Sequence, residues 1–171
     1  MKILISLFTA FLLFSPSTWA ENTSPNVAVI DMEFAVQNVK DGQSAKKEME
    51  QAYDKLKKVF EEDEKGIRAL IEDLNKKKPV LNEEAFGRKQ AEIQKKVYEL
   101  QQKKMEAERS LKTKEVNLSN PIIEKIEKIV SDLAKERGYN LVLERSQGAV
   151  VFASQSQDIT QEVVTRYNKG K

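Results

Sequence analysis

The chain has 171 residues, carries 29 lysines and arginines against 27 acidic residues for a net charge of +2, and contains neither histidine nor cysteine. Such a balance does not predict a nucleic-acid partner, and the missing side chains exclude an imidazole base, a thiol nucleophile and a nitrogen–sulfur metal site. No glycine-rich phosphate-binding motif occurs, so no catalytic, cofactor-binding or metal residues are predicted, and the chain is not expected to be an enzyme.

Residues 1–20 read as a signal peptide: Lys2 is a short positive region, Ile3 to Phe14 an apolar run, and Thr18 and Ala20 flank Trp19 at a cleavage site after Ala20. The apolar run is too short to span a bilayer, although an uncleaved N-terminal anchor is the alternative. Lipoprotein processing needs a cysteine, and there is none. An exported chain without disulfides is compatible with a bacterial periplasm. Lys2 is the only charge in the leader, so the mature chain, starting near Glu21, has a net charge one unit lower.

Asn26 to Asp31 reads as a strand with apolar groups on both faces, Val27 and Val29 on one, Ala28 and Ile30 on the other. Glu33 to Val39 is one or two helical turns, which Asp41-Gly42 is expected to break. Residues 42–118 then form an arm of two long helices. In the first, Ala45, Met49, Ala52, Leu56, Phe60, Ile67, Leu70 and Leu74 keep one stripe. In the second, Phe86, Gln90, Ile93, Val97, Leu100, Lys104, Ala107, Leu111, Lys114 and Leu118 alternate in steps of four and three, a coiled-coil seam. Pro79 breaks the rod near 76–82, and Asn82 is placed to cap the returning helix, with Glu83 and Glu84 in its first turn. Antiparallel pairing sets Leu74 against Phe86, Phe60 against Leu100, Leu56 against Lys104 and Met49 against Leu111. The arm should be roughly 50 Å long, mobile, and stable chiefly where its base is anchored.

Beyond the arm, Asn120-Pro121 either caps a new helix or kinks a continuing one. Ile122, Ile126, Ile129, Val130 and Leu133 make a far stronger apolar face, ended by Gly138. Asn140 to Glu144 is a second strand and Ala149 to Ala153 a third, expected to form a hairpin across Ser146-Gln147-Gly148. Asp158 to Gln161 resembles a capping box opening a C-terminal helix. The fold class is therefore α+β, mostly α: residues 21–41 and 119–171 form a small β-strand body into which the arm is inserted. Three short strands make a poor isolated sheet, so oligomerisation through Val27, Val29, Ile30, Leu141, Leu143 and Val151 is predicted.

Charge offers one candidate contact. Lys76, Lys77, Lys78, Arg88 and Lys89 gather at the arm tip, opposed only by Glu83 and Glu84. They either attract anionic lipid headgroups or acidic client segments, by up to about 1 kcal/mol per charge near a membrane, or form a solubilising loop. Glu61 to Glu64 is read as a solvated helix face. Asp63, Gln90, Lys104, Lys114 and Gly66 interrupt the apolar seam, either loosening the arm or setting its register.

Val27 to Met32, the helix with Phe34, the charged hairpin, Tyr139 to Glu144 and Asp158 to Val164 together resemble the Skp, or OmpH-like, periplasmic chaperone family, over essentially the whole mature chain. That resemblance implies a jellyfish-like homotrimer whose strands join in a central body with three arms around a cavity. It also implies ATP-independent holding of unfolded outer-membrane β-barrel proteins, and contacts to lipopolysaccharide. Better-known members are strongly basic; this chain is nearly neutral. A structural envelope spacer or adaptor that binds one folded partner is the competing reading.

Overall fold

The computed structural model describes residues 25–146, 148 and 150–170; the leader therefore lies outside the described residues. The described residues are mostly helical, 80%, with a long arm and a small strand part. Strand β1 (Val27–Ile30) leads through Asp31, whose carboxylate accepts from Phe34 N at 2.8 Å and so caps α1 (Met32–Asn38). Helix α2 (Lys40–Lys77) forms the first limb of the arm, and a 3₁₀ turn over Lys78–Val80 follows it. Helix α3 (Glu83–Arg137) returns along it, capped by Asn82, which accepts from Ala85 N at 2.8 Å. Strand β2 (Leu141–Glu144), a 3₁₀ turn over Gln155–Gln157 and helix α4 (Thr160–Asn168) complete the chain.

Several expectations are corrected. The break before the arm falls at Val39, with ψ at 152°, and not at Asp41-Gly42. Gly42 lies inside α2 and is buried, because a Cβ there would sit 1.7 Å from the Val36 carbonyl oxygen. This glycine serves a close helix approach rather than a turn. Pro121 starts no new helix: α3 runs through it unbroken to Gly138, whose φ of 68° provides the left-handed cap.

The strands depart further from expectation. β2 pairs with β1, in parallel, in the register Val27–Leu141, Ala28–Val142, Val29–Leu143 and Ile30–Glu144. No hairpin forms with the segment after Gly148; described residues 150–153 are not strand. The chain instead passes through a capping box at Ser154 and Gln157, one turn before the box expected at Asp158. It then delivers Asp158 and Ile159 to the other edge of β1, where Ile159 N donates to the Val29 carbonyl at 2.9 Å. Asp158 still helps to start α4, accepting from Thr160 N at 2.9 Å.

One face of the two-stranded sheet is the roof of the core. Ala28 and Ile30 point into a cluster with Ala35, Val39, Ile122, Ile126, Ile129, Leu133, Ile159, Val163, Val164 and Tyr167, and Val142 packs against it. Asn26 ties the strand's start to the end of α3, donating to the carbonyls of Arg137 and Gly138 at 3.2 and 3.1 Å. The core reaches no further along the arm than Ala45 on α2 and Ile122 on α3.

Candidate interaction surfaces of the sheet and the arm

The residues predicted for oligomerisation separate by face. Side chains alternate along a strand and register partners share a side. Val27, Val29, Leu141 and Leu143 therefore lie on the sheet face opposite the core. Val29 is buried, whereas Leu141 is 49% and Leu143 39% exposed. Ile30 belongs to the core instead. Val151 is not on a strand but is 99% exposed, and its neighbour Phe152 87%. Sequence reasoning placed Phe152 on the third strand, opposed to Val151, but not among the oligomerisation residues, although an aromatic among small and β-branched residues was a usable signal. The β1 edges are taken by β2 and by Asp158–Ile159, so among the described residues the outer edge of β2 has no strand partner.

At the tip the five basic residues do come together, but with more opposition than expected. Asp73, one turn before Lys77, takes Lys77 at 2.8 Å and Lys89 at 3.8 Å. Its hydrogen bond with Lys77 is the main reason its carboxyl titrates below the ordinary aspartate range. Arg88 pairs with Glu84 at 3.3 Å. Lys78 lies 5.9 Å above the Phe86 ring. The i,i+4 spacing of Asp73 and Lys77 was legible in the sequence. Val80, 82% exposed, gives the tip an apolar point.

Along the arm, three polar interruptions of the seam, Asp63, Lys104 and Lys114, find partners across it. Lys104 bonds Glu64 at 2.7 Å, Lys103 bonds Asp63 at 2.8 Å, and Lys114 reaches Glu48. Lys104, expected against Leu56, extends toward the tip so that its ammonium stands 5.7 Å above the Phe60 ring. The Lys104 hydrogen bond, then its charge, depresses the Glu64 carboxyl. These pairs fix register more than they stabilise, because exposed ion pairs contribute roughly 0–1 kcal/mol each. Gly66 remains in open space. Between the helices lie shallow grooves, one of about 370 Å³ lined by Tyr53, Leu56, Phe60, Ala107 and Leu111.

None of this forms a reaction centre. Among the described residues no acidic cluster is placed to hold a metal ion, and no helix is long and apolar enough to cross a membrane. The geometry offers surfaces: an apolar sheet face with an open edge, and a long charged arm with apolar grooves.

No curated protein sequence matches the chain. Among solved structures, a candidate outer membrane chaperone (OmpH-like) from Caulobacter crescentus CB15 superposes with a TM-score of 0.75. It covers 86% of each chain at 17% identity, a likeness of fold. The family profile described as outer membrane protein (OmpH-like) matches residues 26–167, from the first strand to the last helix. The chain belongs to the OmpH-like outer membrane protein family.

Proposed function

We propose that the mature chain is an ATP-independent periplasmic holdase chaperone, exported after cleavage near Ala20. It assembles as a homotrimer and keeps unfolded outer-membrane β-barrel proteins from aggregating between its arms. The observation that carries this reading is the family match over the whole described body and arm. Two structural features support it. The open edge of β2 and the exposed Leu141, Leu143, Val151 and Phe152 suit association with copies of the same chain. The arm, nearly devoid of fully buried side chains, offers many weak apolar and charged contacts to a client and no single deep site. Lys76 and Lys78, with Val80 beside them, are the part of the tip left to meet anionic lipid or lipopolysaccharide. Salt-sensitive vesicle binding, lost on neutralising Lys76 to Lys78, would identify that contact.

The test is aggregation of a urea-diluted outer-membrane β-barrel protein with and without the mature chain, with particle mass read in parallel. Suppression without ATP, at about one trimer per client, is the expected result; a trimer that suppresses nothing would overturn the reading. Leu143→Asp is the cleaner probe of assembly, since Val29 is already buried within the protomer and its replacement would damage the fold. A Leu143→Asp protein that still sediments as a trimer would remove the sheet face from the interface.

The spacer or adaptor reading draws on one observation, the cross-arm pairs Asp63–Lys103, Glu64–Lys104 and Glu48–Lys114, which favour a defined arm register. It predicts capture of one folded partner and indifference to unfolded chains.

A further inference from the structure

Helix α2 begins without a cap of its own. Val39 precedes it and has no side-chain acceptor to offer the first amides. Helix α4, more than a hundred residues later, supplies the missing group: Lys40 N donates to Asn168 Oδ1 at 2.9 Å. One residue earlier on α4, the Tyr167 hydroxyl donates to Asp41 Oδ2 at 2.7 Å. Lys125 of α3 closes the cluster, its ammonium 3.9 Å above the Tyr167 ring and 4.0 Å from Asp41. Tyr167 is 4% exposed, and burial first, then the bond to Asp41, holds its phenol protonated well above the ordinary tyrosine range.

Backbone bonding is interrupted at the same level in both limbs of the arm. α2 starts afresh after the extended Val39. In α3, Pro121 lacks the amide that would bond the Asn117 carbonyl. The hydrophobic core also ends there, at Ala45 and Ile122. Beside the interruption is an open cavity of about 420 Å³ lined by Ala45, Leu118, Pro121 and Tyr167 among others, which leaves room for movement. We propose that this level is a joint on which the arm swings as a unit, and that Tyr167 and Asn168 of α4 are the latch that fixes its angle. The inference rests on the fold alone and does not depend on what the arm holds.

The absence of native cysteine allows spin labels at Gln37→Cys on α1 and Gly87→Cys near the tip, where a Cβ meets nothing within 4 Å. Distances are measured by pulsed electron resonance, with labelled chains diluted into unlabelled ones so that only pairs within one protomer are read. The Tyr167→Phe, Asn168→Ala double variant should broaden the distance distribution at least twofold, with helicity by circular dichroism unchanged. Amide exchange at residues 40–45 should rise about tenfold while residues 122–133 keep their protection. Pro121→Ala, in the otherwise native chain, restores the missing amide and should narrow the distribution. An unchanged width in the folded double variant would overturn the latch. Loss of protection across 122–133 would overturn it too, by showing that Tyr167 and Asn168 merely support the body. A Pro121→Ala chain no narrower than the native one would overturn the joint.

Discussion

Body and arm are held together in opposite ways although they share one helix. In the body half of α3, Ile126 and Leu133 are wholly buried and their neighbours come from α1, α4 and β1. In the arm no described side chain is buried as deeply, and apart from Gly42 at the base Leu74 near the tip is the one described residue that is buried at all. A single stripe per helix excludes water on one side only, so each arm residue contributes a fraction of what a core residue does. The difference teaches that arm order is borrowed from its anchorage, and that the arm is free to change shape at little cost.

The largest way to break this contrast is in the core. Ile126→Ala should cost about 2–5 kcal/mol, read as an earlier cooperative thermal transition. If the body melts unchanged, the asymmetry is false. The two glycines of α2 sharpen it next. Gly42→Ala forces a Cβ against the Val36 carbonyl and should cost about 1–3 kcal/mol or displace α1. Gly66→Ala, in open space, should gain roughly 0.5–1 kcal/mol in local helix stability. Amide exchange separates the two, the first loosening the body and the second tightening only the arm.

The smallest effect is acid loosening. Glu64 and Asp73 titrate below their ordinary values in the folded arm. Their contribution is therefore complete above the unfolded carboxylate pKa of about 4 and is lost only as pH falls through the lower folded values. Arm-specific exchange should rise below about pH 4 and less steeply in high salt, where these exposed pairs are already screened. A rise above neutral pH instead would mean that other groups hold the arm.

The helices, their turn at Pro79 and the core face from Ile122 to Leu133 were legible because they are local patterns of period and capping. What was not legible depends on approach between distant segments. Gly42 looked like a breaker, and only the Val36 backbone beside it explains it. Ser146 to Gly148 carries hairpin chemistry, yet β2 finds β1 first, and no local rule weighs a nearby turn against a distant parallel partner. Among the surface candidates, the tip cluster was found by charge alone, while its partial neutralisation by Asp73 required the i,i+4 geometry to be taken with the cross-arm reach of Lys89. Of the residues expected to oligomerise, Val27, Val29, Leu141 and Leu143 share the face opposite the core while Ile30 lies in it, because a strand this short lets either alternating set be the inner one.

The parallel pairing of β1 with β2 also sets what folding has to close. Asn26 and Asn140 must meet across 114 residues, since Asn140 N donates to the Asn26 carbonyl and Asn26 N to the Asn140 side chain. Closing so long a coil is slow and entropically unfavourable. The arm's own contacts are nested and begin at the tip turn, so it can zip from Pro79 downward and shorten the remaining gap to roughly 15–20 residues on each side, lowering the closure cost by about 1 kcal/mol. An arm that forms only transiently without its anchorage thus still brings the two strands together, and a tip that fails to turn would leave the first strand waiting unpaired.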